Sequence, residues 1–181
     1  MKIAFVGSFS TGKTTLANLF AREWDWPLLP EVAREVVALG FPLDQRATAE
    51  TETLIFLKQW QAESRHTRFV ADRSIYDVLA YADWVMDNRT TDRKEDHLWW
   101  AAREIATDDL RARYDHVFYL PIEFPIVLDG LRPDDTVFQS EIDSRIVGLL
   151  EEADVAYEPL TGSVEKRQAR VRASVERRSS G

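Results

Sequence analysis

The sequence has no cysteine and only 2 methionines, 7 glycines and 7 prolines in 181 residues. Without cysteine there is no disulfide scaffold and no cysteine-ligated zinc site. The same absence fits a reducing compartment, so a cytoplasmic location is expected. Long apolar runs are missing too: none nears the ~20 residues that a membrane-spanning helix needs. The opening MKIAFVGSF breaks at Gly7 after a short apolar run, which is not expected of a signal peptide. No GxGxxG, HExxH or Ser-His-Asp signature is present, and His66, His97 and His116 lack metal-ligand spacing. Repeats, low-complexity tracts and long linkers are likewise absent. A single domain over residues 1–178 is expected, with residues 179–181 as a disordered tail.

The 45% apolar and 30% charged residues are those of an ordinary globular core. A formal net charge of −8 argues against a surface that coats nucleic acid. The charge is uneven, however. Residues 134–158 hold eight acids against Arg145, whereas residues 163–178 hold Lys166, Arg167, Arg170, Arg172, Arg177 and Arg178 against Glu165 and Glu176. Such runs commonly form solvated helix faces. The pairs Trp24/Trp26 and Trp99/Trp100 read as packing residues rather than base-stacking platforms.

Apolar β-branched runs alternate with helical periodicity. Strands are expected at Lys2–Val6, Pro27–Pro30, Phe69–Ala71, His116–Leu120 and Val155–Leu160. Helices are expected at Lys13–Glu23, Glu31–Leu39, Asp44–Arg65 with Asp44 as N-cap, Ile75–Met86, His97–Arg113, Phe138–Ala153 and from Ser163 onward. Asp87–Asp96 reads as a mobile loop. Strands separated by helices predict an α/β fold: a five-stranded parallel sheet sandwiched by helices.

One motif is specific. Gly7-Ser8-Phe9-Ser10-Thr11-Gly12-Lys13-Thr14 matches GxxxxGK[ST] between the first strand and the first helix. Gly7 permits the sharp turn, and Gly12 lets backbone N–H groups close around a phosphate. Lys13 offers an ammonium to the β/γ-phosphates, Thr14 offers a hydroxyl to Mg²⁺, and the helix N-terminus adds partial positive charge. Residues 7–15, including Ser10, Thr11 and Thr15, are thus expected to hold Mg²⁺·ATP.

Parallel sheets bind ligands beyond the C-terminal ends of their strands. Asp72 ends the third strand there, suited to Mg²⁺ through water or to orienting a hydroxyl; Arg73 beside it offers a donor fork. The same Asp would also serve as an N-cap. Glu31 follows the second strand at the same edge and would accept a proton from an attacking hydroxyl. Arg34 lies one helical turn further on.

The segments GSFSTGKTT, PEVAR, KQWQAESR and ADRSIYDVLAYA together resemble deoxynucleoside and thymidylate kinases. Glu31–Arg34, Asp72–Ala82, Asp129–Pro133 and Gly162–Arg167 are similar to segments of small phage and bacterial P-loop ATPases related to the ribosylnicotinamide kinase domain. The resemblance implies a P-loop kinase architecture with a short lid near residues 122–137. It implies Glu31 as general base, Asp72 with Arg73 as the Mg²⁺ and phosphate pair, and Gln59 (or Gln61) as the base-reading amide. It also implies Tyr76 near the substrate, Arg132 as the lid arginine with Arg145 a second, and Gly162 and Arg167 near adenine.

The expected activity is transfer of the γ-phosphate of ATP to a small nucleoside or nucleotide. One alternative places the acceptor hydroxyl on DNA, at a 5′ end or a hydroxymethylated base. Another is a regulatory ATPase with no acceptor. No membrane partner is expected, and the sequence leaves the oligomeric state and the choice of Glu31 or Asp72 as base open.

Overall fold

The computed structural model describes residues 1–88, 96–107, 110–126 and 134–179. Arg132 with residues 127–133 of the proposed lid, most of the 87–96 loop, and residues 180–181 lie outside the described residues. Five strands form one sheet: β1 (Lys2–Val6), β2 (Leu28–Leu29), β3 (Phe69–Asp72), β4 (His116–Tyr119) and β5 (Tyr157–Pro159). Their order is β2-β3-β1-β4-β5, and every pairing is parallel. The helices are α1 (Lys13–Trp24), α2 (Ala33–Ala38), α3 (Ala49–Ser64), α4 (Ile75–Asp87), α5 (Asp96–Thr107), α6 (Thr136–Glu152) and α7 (Val164–Ser179).

The alternation of side chains along β1 accounts for the layers. Ala4 and Val6 enter a core with residues of α3, α4 and α6, whereas Ile3 and Phe5 face the other way among Leu16, Phe20 and Val171. A strand buried on both faces must be apolar, as β1 is from Ile3 to Val6. The order places β1 centrally, flanked by β3 and β4, so the loops leaving β1 and β3 lie side by side. Phe5 is the register partner of Asp72.

Two element boundaries differ markedly from expectation. Asp44 does not cap a long helix; it adopts φ 56° and starts a single 3₁₀ turn, Asp44–Arg46. The cap of α3 is Thr48, whose side chain accepts the Thr51 N–H. Helix α5 spans Asp96–Thr107 and does not include Arg113, whose N–H instead closes a turn on Leu110 O. No described helix is long and apolar enough to cross a membrane.

Candidate active site

The loop after β1 is shaped by its glycines. At Gly7, with φ 142°, a Cβ would sit 2.4 Å from Leu120 O, so the carbonyl just beyond β4 excludes any side chain there. Ser10 (φ 60°) and Gly12 (φ 97°) are also left-handed, turning backbone N–H groups toward a common concavity. Gly12 caps α1 without a side-chain hydrogen bond, which leaves that helix end to an anion. These are the features of a phosphate cradle.

Lys13 is buried in this loop. Its Nζ donates to Ser8 O at 2.5 Å and lies 3.4 Å from Thr11 Oγ1, and Thr11 donates to the same carbonyl. Burial, reinforced by Arg73, lowers the Lys13 pKa to about 8 against the opposing pull of Asp77, Asp72 and Glu31. A phosphate would replace a single carbonyl as its partner and favour the charged amine. Thr14 and Thr15 are exposed on the first turn, beside the cradle where a metal-bound phosphate would arrive.

The loop after β3 is tied to this cradle. Asp77 of α4 accepts the Gly7 N–H at 3.0 Å with one oxygen and the Ser74 N–H and hydroxyl, each at 2.8 Å, with the other. Ser74 in turn caps α4, completing a capping box that also fastens the phosphate loop. Asp72 is buried at the end of β3. Arg73 holds a left-handed conformation at φ 87°, with its N–H on Phe5 O. Such strain in a non-glycine residue persists where the surroundings impose it, commonly at functional sites.

Arg73 faces Glu31. Its Nε donates to Glu31 Oε1 at 2.5 Å, and both side chains are about nine-tenths buried. Its guanidinium lies 4.9 Å from the Tyr81 ring centroid and reaches the Tyr81 hydroxyl at 3.4 Å. Burial opposes its charge, but Glu31, Tyr81 and Asp77 together hold Arg73 above the usual arginine value. Arg34 Nε approaches the other Glu31 oxygen at 3.3 Å. The structure therefore gathers Lys13, Asp72, Arg73, Glu31 and Arg34 at one edge of the sheet.

Two small cavities flank the Glu31–Arg73 pair. One of about 30 Å³ is lined by Glu31, Asp44, Glu52, Ile55, Arg73 and Tyr81, among others. The second, about 20 Å³, shares Glu31, Leu43, Asp44 and Arg73 and adds Phe9 and Arg34. Neither Gln59 nor Tyr76 lines them. Gln59 is buried and donates to Glu63 at 2.7 Å, where Arg113 and Tyr114 also converge. The Tyr76 hydroxyl donates to Leu110 O at 2.5 Å. Both are turned into the packing between α3, α4 and β3, away from the position implied by resemblance. Tyr81 and Glu52 occupy the cavity wall instead.

On the far side of the cradle, Arg167 donates to Thr11 O at 2.7 Å and to Glu123 Oε2 at 2.6 Å. Glu123 also accepts the Gly162 N–H at 2.9 Å. Gly162 and Arg167 thus reach the phosphate loop, as a strap on its backbone. Gln139 of α6 adds a bond to Phe9 O at 2.7 Å. Arg145 pairs with Asp87 and points away from the cradle. Of the positions missed from sequence, Asp77 alone had a local signal, the Ser-x-x-Asp capping pattern.

A family model for an AAA domain matches residues 2–167. The chain belongs to this AAA-domain family. Comparison with curated protein sequences gives no match. Among solved structures, this AAA domain is similar to deoxyadenosine kinase from M. mycoides with dCMP and dCDP bound, at 12% identity and TM-score 0.71, covering 97% of this chain and 99% of that one. It is similar to the NadR protein in complex with NR at 19% identity and TM-score 0.72, covering 96% of this chain but only 49% of NadR. YorR of Bacillus subtilis, bound to phosphorylated GDP, gives 16% identity and TM-score 0.61 over 99% of this chain and 98% of that one. At these identities the likeness establishes the fold, an α/β P-loop kinase fold.

Proposed function

We propose that this AAA domain is an ATP-dependent kinase acting on a small nucleoside or nucleotide. The observation that carries the reading is the adjacency of a phosphate cradle to a buried Glu31–Arg73 pair with cavities on both sides. Bound ATP would supply the phosphoryl group, and Mg²⁺, held by its phosphates with Thr14 and Asp72, would offset their charge. This division fits the donor set: among the described residues no three His, Asp or Glu side chains converge on a metal site.

The residues divide the remaining work. Residues 7–15 hold the phosphates, and Lys13 leaves Ser8 O for them. Arg73 is positioned to neutralise charge between donor and acceptor. Glu31 takes the acceptor proton once the acceptor displaces Arg73 from its Oε1. The cavities are too small for a nucleoside, so its entry displaces wall residues, among them Asp44, which lines both.

The DNA alternative loses its main support in α7. Arg170 pairs with Glu158, Arg172 with Glu23 and Arg178 with Asp115, so these cations are engaged within the fold. Enclosure of Glu31 favours an acceptor over the acceptor-free ATPase, which would present Glu31 on a partner surface. Incubating the protein with γ-labelled ATP and panels of nucleosides, nucleotides and oligonucleotides tests the reading. Label is expected on a monomer; label on an oligonucleotide alone, or released only as phosphate, would overturn it.

A further inference from the structure

Glu52 lies in the first turn of α3, is 1% exposed, and lines the larger of the two cavities with Glu31, Asp44, Arg73 and Tyr81. The other acids of that wall are differently placed: Glu31 holds Arg73 and Arg34, while Asp77 holds Gly7 and Ser74. A carboxyl buried on a cavity wall is costly to ionise, and such groups concentrate at ligand-binding sites. Burial, with Asp44 adding repulsion and Arg73 opposing, raises the Glu52 pKa to about 8. At neutral pH the group is then largely a neutral acid, able both to donate and to accept.

We infer that Glu52 selects the acceptor, hydrogen-bonding the polar edge of an uncharged nucleoside and turning away acceptors that already carry a phosphate. The inference rests on the kinase reading and narrows it. The wall presents the carboxyls of Glu31, Asp44, Glu52 and Asp77 against the single guanidinium of Arg73, already bonded to Glu31. A monophosphate brings close to two negative charges at pH 7 and finds no uncommitted cation among these lining residues. A base amide edge or a sugar hydroxyl pairs with a neutral carboxyl without that repulsion.

The test is calorimetric titration of nucleosides and their 5′-monophosphates into the full chain saturated with a non-hydrolysable ATP analogue. Wild type, Glu52→Gln and Glu52→Leu are compared, with thermal melts to confirm folding. At least one nucleoside is expected to bind about ten-fold or more tightly than its monophosphate. Glu52→Leu is expected to weaken it at least about ten-fold while leaving affinity for the ATP analogue unchanged, and Glu52→Gln to reorder the preference among bases. Monophosphates binding as tightly as nucleosides, nucleoside affinity unchanged in Glu52→Leu, or no nucleoside binding at all would overturn the inference. Labelled-ATP transfer assayed in parallel keeps the two readings apart. Glu52-dependent binding without transfer would sink the kinase reading and leave this assignment standing. Transfer with undiminished nucleoside affinity in Glu52→Leu would do the reverse.

Discussion

Asp77 Oδ1 accepts the Gly7 N–H at 3.0 Å across 70 residues of sequence. One carboxylate therefore fastens the first residue of the phosphate loop and, through Ser74, the start of the helix that follows Asp72 and Arg73. The two halves of the site cannot shift independently while this bond holds. Asp77→Asn keeps one acceptor but turns an NH₂ group toward either the Gly7 or the Ser74 N–H. A loss of about 1–3 kcal/mol in unfolding free energy is expected by urea titration, together with weaker ATP binding.

Lys13 bears the opposite relation to stability. Its folded pKa, lowered by burial and then Arg73 to about 8, lies below the ordinary lysine value of 10.5. The folded state therefore disfavours the charged amine. This penalty is full below about pH 8 and disappears as the pH rises toward 10.5, with about 3 kcal/mol as an upper figure. Lys13→Met should melt higher than wild type at pH 7 and bind ATP at least about 100-fold more weakly. A lower melting temperature would show that the bond to Ser8 O outweighs desolvation.

Glu52 gives a second pH signature. Its folded pKa of about 8 lies above the ordinary glutamate value of 4.5, so the folded state binds the proton more tightly. Stability should fall as pH rises between these values, by about 4–5 kcal/mol as an upper figure. Chemical denaturation from pH 4.5 to 8.5 should show that decline flattened in Glu52→Gln. An identical slope in both proteins would refute the burial argument.

Arg167 should matter through the shape of the phosphate loop. Arg167→Ala leaves Thr11 O and Glu123 without their donor fork, and ATP affinity is expected to fall about ten-fold. Lysine is a single point donor and should restore only part of the loss. Full restoration by Arg167→Lys, measured by titration of an ATP analogue, would assign the residue to bulk charge instead.

How legible the site was depended on sequence distance. The phosphate loop and Asp72-Arg73 are contiguous segments at strand ends, so local pattern and the rule for parallel sheets placed them together. Gln59 shows the limit. The Glu63–Arg113 and Glu63–Tyr114 bonds span 50 and 51 residues, and they draw the Gln59 amide toward Glu63 rather than toward the cavity. Periodicity gives a helix but not its rotation. The basic last helix likewise looked available to polyanions until Glu158 and Glu23, 12 and 149 residues away from their arginines, closed on it. Glu52 had no signal of its own inside the expected Asp44–Arg65 helix, and only the fold buried it beside Asp44 and residues of α4. Asp44 carried an N-cap signal, but its left-handed conformation moved the cap to Thr48.

The most direct test of the account is a single-turnover measurement with γ-labelled ATP and the best nucleoside from the screen, comparing wild type with Glu31→Gln. The account predicts label on the nucleoside hydroxyl in wild type, a transfer rate about 10²–10⁴-fold lower in Glu31→Gln, and equal affinity of both proteins for an ATP analogue. Transfer at an unchanged rate in Glu31→Gln, or label released only as inorganic phosphate whatever nucleoside is present, would contradict it.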